Sequence, residues 1–340
     1  MDVVPARRPT MKDVAALAGV SLSTVSRTVN DDPGVREDLA AKVRNAVELL
    51  GYQRDEAASA LRRSGRVSSS LGIIVEDVAN PFFSAVHRGV EDCARSRGFL
   101  TFAGSSDDDG ERERQLADAF IARRVDGLLI APAGRDHRFL ERERAAGVPL
   151  VFVDRPARWL EADAVVSDNA GGADAAVAHL IASGHRRIAF LGDRAELFTT
   201  SERLAGYRTG LERHGLEPDE RIIRLDLDER GAYAAVYALL QGRDAPTALF
   251  SAQNFITFGV LRAVHELGRR GSIAHVGFDD IALADLLAPA LTVIAQDPYD
   301  LGRTAAELLF ARLDGESGPP RRVVLPTRLV PRGSGEIAAP

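Results

Sequence analysis

Three things are scarce in these 340 residues: cysteine, long apolar runs and a dominant charge. Cys93 is the only cysteine, which excludes an internal disulfide and any multi-cysteine metal site. No apolar run approaches the ~18 residues that a bilayer-spanning helix needs. Arg7 and Arg8 near the start are not followed by an apolar stretch, so no secretory signal is expected. A reducing, cytoplasmic setting without a membrane partner follows as the expectation. The seven histidines lack metal-ligand spacing, so neither a metal nor a cofactor is expected. Asp107-Asp108-Asp109 has the residue types of a metal cluster, but it lies beside Gly110 in a turn and reads better as a solvated loop. No phosphate-binding loop ending in Gly-Lys-Ser/Thr and no Gly-x-Ser-x-Gly elbow occurs, so hydrolase chemistry has no support.

The net charge of −6 argues against a polyanionic partner only if it is spread evenly. It is not. Residues 1–66 carry eleven Lys and Arg against nine Asp and Glu, while the remainder carries 32 against 40. A slightly basic head on an acidic body suits a chain that presents one end to nucleic acid. Apolar residues make up 45%, enough for two or three ordinary cores.

The first fifty residues read as three helices. Thr10 caps the first, over Met11 to Ala18, with Val14, Leu17 and Ala18 on one face. Gly19 breaks it and Ser21 caps a second, running to about Val29. A third spans Glu37 to Leu50, presents Leu39, Val43, Val47 and Leu50, and stops at Gly51. Two short helices meeting at a glycine turn let the second lie in a major groove about 12 Å wide. Ala15, Val20, Val25 and Val29 would face inward and Leu22, Ser23, Ser26 and Arg27 outward. Arg27 can donate two hydrogen bonds to a guanine, and Leu22 suits a thymine methyl. An ordinary helical hairpin is the plainer alternative.

Residues 52–70 have linker composition with one short helical candidate, Asp55 to Arg62. From Leu71 onward about ten short apolar runs alternate with amphipathic helices, which implies parallel sheets covered on both faces. Ten strands in roughly 270 residues fit two such sheets better than one. Their ligands bind outside the carboxyl ends of the strands. Gly333-Ser334-Gly335 reads as the start of a flexible tail.

The order Asp13-Val14-Ala15, Ala18-Gly19-Val20-Ser21, Thr24-Val25-Ser26-Arg27 and Asn30 resembles the start of the LacI/GalR family of bacterial transcription regulators. Leu49-Leu50-Gly51-Tyr52, Asn80-Pro81-Phe82-Phe83, Arg203-Leu204-Ala205-Gly206-Tyr207 and Gly277-Phe278-Asp279-Asp280 extend the resemblance over nearly the whole chain. It implies an all-α helix-turn-helix DNA-binding head over 1–54, a hinge helix and linker over 55–70, an α/β periplasmic-binding-protein-like body of two doubly wound parallel-sheet subdomains over 71–334, and a tail over 335–340. DNA contacts then fall on Thr10, Leu22, Ser23, Thr24, Ser26, Arg27 and Asn30, with Ala58, Leu61 and Arg62 in the hinge. Leu61 becomes the wedge that kinks the operator through the minor groove, where a plain linker would give it no role.

Carried over by position, Arg203 and Asp279 bind the hydroxyls of a sugar-like effector, and Phe82 and Phe83 form an aromatic wall. Asp154, Leu227, Gln253, Asn254 and Gln296 complete the candidate pocket. A structural ion pair for Arg203 and simple core packing for the phenylalanines are the competing readings. Gln253-Asn254 stands where Asn-Asp is common, and Leu227 where an aromatic residue is. Arg36 and Leu39-Ala40 replace the usual Ser and Thr-Arg, leaving phosphate contacts to Arg36 or Lys42. The function implied is a homodimeric, effector-responsive repressor on a near-palindromic operator. A transport-type ligand-binding protein and an enzyme on a doubly wound fold are the rivals.

Overall fold

A computed structural model describes residues 9–30, 32–52 and 68–340. The chain divides into two compact units, Met1–Ser68 and Ser69–Pro340.

In the first unit, α1 (Met11–Ala18), α2 (Leu22–Val29) and α3 (Glu37–Leu50) form where the caps predict. The Asp13 carboxylate accepts from both the N–H and the hydroxyl of Thr10, each at 2.7 Å. Ser21 Oγ accepts from the Thr24 N–H at 3.1 Å and starts α2. Between them Gly19 sits at φ 65°, a left-handed conformation that lets the chain turn within three residues. Val14, Val25, Val43, Ala46 and Tyr52 close the core. Leu17 and Leu39 were expected on that inner face and are not part of it. Leu17 is 52% exposed because α1 packs along Met11, Val14, Ala15 and Ala18, one helical step away. On α3 the small side chain of Ala40 takes the inner position beside Leu39.

The second unit is two α/β lobes. Lobe one contains β1 (Ser70–Val75), α4 (Pro81–Ser96), β2 (Leu100–Ser105), α5 (Gly110–Ala122), β3 (Gly127–Ile130), α6 (Glu141–Ala145), β4 (Leu150–Val153) and β5 (Asp163–Ser167). Lobe two contains α7 (Asn169–Ala182), β6 (Ile188–Leu191), α8 (Phe198–Arg213), β7 (Ile223–Arg224), α9 (Glu229–Gln241), β8 (Ala248–Ser251), α10 (Asn254–Glu266), β9 (Ala274–Phe278) and β10 (Thr292–Ala295). The chain then returns to lobe one with α11 (Pro298–Leu313) and β11 (Arg322–Leu325), and to lobe two with β12 (Arg328–Val330).

The sheets run β11-β5-β4-β3-β1-β2 and β12-β10-β9-β8-β6-β7, parallel except for the β10–β12 pair. Central strands such as Leu150–Val153 and Ile188–Leu191 are buried along their whole length, as parallel strands between helix layers must be. In both sheets the strand order reverses beside the first strand of the lobe, which opens a crevice at the carboxyl ends.

The expected flexible tail is instead bound. Ser334 is buried, its Oγ donates to the His275 carbonyl at 2.6 Å and accepts from the Thr292 N–H at 2.9 Å. The Ile337 carbonyl accepts from His185 Nε2 at 2.8 Å, and the Ala339 N–H donates to the Ser183 carbonyl at 3.0 Å. The glycines serve close approach to lobe two rather than mobility.

Candidate functional site

On α2 the exposed side chains are Leu22, Ser23 and Arg27, with Thr24 and Ser26 half-buried and Asn30 exposed at the C-terminus. Thr10 lies exposed at the start of α1. Burial of Val25 turns this face outward, since residues one and two positions away must point elsewhere. Arg27 does not project freely. Its Nε donates to Asp32 Oδ2 at 2.9 Å and its Nη2 lies 3.4 Å from Oδ1. This pairing, with the Gly34 N–H, holds the Asp32 carboxyl below its ordinary range. Asn30 is likewise committed, donating from Nδ2 to the Ser26 carbonyl at 2.6 Å. Arg36 pairs with Asp38 at 2.5 Å, while Lys42 is exposed on α3. Ala58, Leu61 and Arg62 lie outside the described residues.

The second unit carries a narrow cavity between its lobes, built from the carboxyl ends of strands in both. Eight of the nine predicted residues line it: Phe82, Phe83, Asp154, Arg203, Gln253, Asn254, Asp279 and Gln296. Leu227 does not. It lines a wider adjoining cleft that shares Glu76, Asp193 and Gln253 with the inner cavity. Phe83 serves two purposes, being 2% exposed within the lobe-one core while touching the cavity.

Arg203 is fixed by its neighbours. Nε donates to Asn169 Oδ1 at 2.7 Å, Nη1 to the Ala252 carbonyl at 2.6 Å, and the guanidinium lies 3.8 Å from the Phe278 ring centre. Among the described residues no acceptor pairs with Nη2, whose two N–H groups remain available on the cavity wall. Asp154 and Asp279 follow β4 and β9 in corresponding places of the two lobes, at φ 70° and 79°. Side chains rarely occupy this left-handed region, although Asp tolerates it better than most. Burial pushes both carboxyls above their ordinary range, against the pull of Arg155 on the first and Arg203 on the second. Gln296 Nε2 donates to Asp279 Oδ1 at 2.5 Å. Asn254 ties the lobes together, donating to Asn80 Oδ1 at 2.7 Å.

The largest feature missed in the sequence is Arg155. It is 5% exposed and faces three carboxylates: Glu76 at 2.6 Å, Asp108 at 2.7 Å and Asp154 at 3.2 Å. Burial works against its charge, but the three acids outweigh burial and hold its pKa above the ordinary value. Asp108 was expected in a solvated loop. Its side chain is only 13% exposed, because Arg155 of lobe one and Arg194 of lobe two clamp it from both sides. Among the described residues no group of acids, histidines and cysteine is placed to hold a metal.

Two family models match the chain: "Bacterial regulatory proteins, lacI family" over residues 10–55 and "Periplasmic binding protein-like domain" over residues 177–335. The ribose operon repressor of Escherichia coli K12 is 34% identical over 331 residues, covering 96% of this chain and 99% of the repressor. The chain belongs to the LacI family. The regulator CelR of Thermobifida fusca is also 34% identical, over 97% of this chain and 99% of its own length. A solved lac repressor dimer, bound to operator and an anti-inducer, superposes with a TM-score of 0.82 at 28% identity, covering 97% of this chain and 99% of that one. A solved CelR–cellobiose complex gives a TM-score of 0.72 at 32% identity, covering 96% and 100%.

As a LacI-family member the chain is a DNA-binding transcription regulator, with a helix-turn-helix head and a periplasmic-binding-protein-like body. The rival of a ligand-binding protein without operator activity is not favoured. No described helix is long and apolar enough to cross a membrane.

Proposed function

We propose that this regulator is an effector-responsive repressor whose dimer reads a near-palindromic operator through α2 and senses a small polyhydroxylated metabolite between its lobes. The observation that carries the effector half is the convergence of Arg203 Nη2, Asp154 and Asp279 on one inter-lobe cavity. A guanidinium donor facing two carboxylate acceptors is the chemistry that grips vicinal hydroxyls, which donate and accept together.

Residue roles follow from that arrangement. Arg203 donates to a ring hydroxyl, Asp279 and Asp154 accept from hydroxyls on either side, and Phe82 packs on the apolar face of the ring. Gln253 and Asn254 close the site from lobe two, with Gln296 holding Asp279 in orientation. On the head, Leu22, Ser23, Ser26 and Arg27 meet base edges, while Thr10, Thr24 and Asn30 lie toward the backbone. Ala58, Leu61 and Arg62 act at the operator centre. The names of the relatives, which include a ribose operon repressor and a cellobiose complex, fit a sugar-like effector.

A dimer is supported by the apolar side chains that each lobe leaves in solvent. Leu100 on the edge strand β2 is 67% exposed, and Leu286 before β10 is 74% exposed. Neighbours Phe102 and Leu283 are exposed as well. Covering these on a twin subunit removes apolar surface from water on both lobes at once.

Because effector and operator are coupled only through differential affinity, both must be measured together. A gel shift on the gene's own upstream region, titrated with sugars and polyols, is expected to show a specific complex whose affinity changes with one of them. Asp279→Ala is expected to keep operator binding and weaken the effector response by about 10- to 100-fold, the worth of one charged hydrogen bond. A response unchanged in that variant would remove Asp279 from the site, and the absence of any specific complex would remove the repressor reading.

A further inference from the structure

The walls of the inter-lobe cavity are not balanced in charge. Arg155 is shared among Glu76, Asp108 and Asp154, Arg194 reaches Asp108, and Arg203 pulls on Asp154 and Asp279. Asp193 adds a fourth carboxylate, with its Oδ1 accepting from the Arg194 N–H at 2.5 Å. With Asp279 counted, three guanidiniums face five acids.

Glu76 and Asp193 matter most, because each lines both the inner cavity and the wider cleft that opens from it. They come from different lobes, Glu76 directly after β1 and Asp193 two residues beyond β6. Glu76 uses Oε2 for Arg155 at 2.6 Å, and among the described residues no group donates to Oε1. Asp193 Oδ2 likewise receives no hydrogen bond from the described residues. In the outer cleft Asp228 and Glu229 are matched by Arg230 and Arg262, the latter 3.6 Å from Glu229, so the excess of acid there comes from Glu76, Asp108 and Asp193.

We infer that the effector is a polyol bearing a protonated amine, with the ammonium seated between Glu76 and Asp193 and the hydroxyls held by Arg203, Asp154 and Asp279. This rests on the proposed polyol site and adds the sign of the ligand's charge. An ammonium has three donors and no acceptor, which matches two carboxylate oxygens that lack donors. Seated there, it would lie across the lobe boundary and tie lobe one to lobe two. Burial pushes Glu76 up to about 7 against the pull of Arg155, with smaller contributions from Asp108 and Asp193. A sugar phosphate or sugar acid would bring a second anion into the same space.

The test is calorimetric titration of the full-length protein with matched sets of glucose, galactose, mannose and ribose. Each set comprises the parent sugar, an aminodeoxy derivative and the terminal phosphate. Emission from Trp159, the only tryptophan, provides a second readout from the loop after β4. In the set that binds, the amine is expected to bind about tenfold tighter than its parent, and the phosphate weakest. Glu76→Gln and Asp193→Asn are each expected to shrink the amine's advantage while the parent sugar still binds. Parent and amine binding equally, a preference that survives the double variant, or a tighter phosphate would each overturn the inference and leave the polyol site standing. No binding in any set would remove the polyol reading, and the amine with it.

Discussion

Replacing Arg155 with methionine is expected to lower the melting temperature of the protein by roughly 10 °C at pH 8, more than any other single change to the cleft. Methionine keeps the length of the apolar stem but removes the charge that Glu76, Asp108 and Asp154 share. Breaking a buried pair from one side costs about 3–5 kcal/mol, because the partners remain buried and unpaired. Here three partners are left behind, although Asp108 retains Arg194 at 2.9 Å.

The pH dependence gives this expectation its sign. Glu76, Asp154 and Asp193 already stand above their ordinary values in the folded chain, and removing Arg155 raises all three further. A carboxyl whose folded pKa exceeds its unfolded one holds a proton that the unfolded chain has lost, so stability falls as pH rises between the two values. The deficit of Arg155→Met should therefore be largest at pH 8 and shrink toward pH 5, where the orphaned acids are protonated at little cost. Thermal unfolding followed at both pH values checks it. A variant as stable as its parent at pH 8 would show that water, not the guanidinium, carries the compensation.

Arg155 also marks the limit of what the sequence discloses. Its partners Asp108 and Glu76 lie 47 and 79 positions away, and no local pattern connects them. Features set within a few residues were legible. Thr10, Ser21, Gly19 and Gly51 fix helix ends by caps and left-handed turns, and the three helices of the head begin and end where those signals stand. The buried central strands were equally readable, because a run such as Leu150–Val153 has no polar face to mislead.

Edges were harder. β11 and β12 are half-exposed strands among Pro319, Pro320, Pro326 and Pro331, whose composition signals loops. The C-terminal segment after Gly333 reads as linker because every bond that secures it is made to distant residues. In the site, Arg203 and Asp279 were visible only through the family motif that surrounds them. Glu76 and Asp193 carry no motif, and geometry alone brings them to one cavity.

On the head, Arg27→Ala is expected to weaken operator binding by between roughly 30-fold and 10⁴-fold, since the loss is counted once in each half-site. One bidentate contact to a base contributes about 1–3 kcal/mol of discrimination, and a dimer makes it twice. The structure adds a condition. Arg27 is held by Asp32 through Nε, at 2.9 Å, so the edge carrying Nη1 and Nη2 can face a guanine while Asp32 fixes its angle. Asp32→Ala should then act differently from Arg27→Ala. Removing an acid beside the DNA frees Arg27 to seek phosphate, so non-specific affinity should rise. Its dependence on log[salt] should steepen by about 0.9 for each subunit. Discrimination at the Arg27 base pair should fall in both variants. Binding measured on operators carrying every base at that position, across a salt series, separates the roles. If Arg27→Ala weakens all sequences equally and flattens the salt slope, Arg27 is a phosphate clamp and base choice rests with Leu22, Ser23 and Ser26.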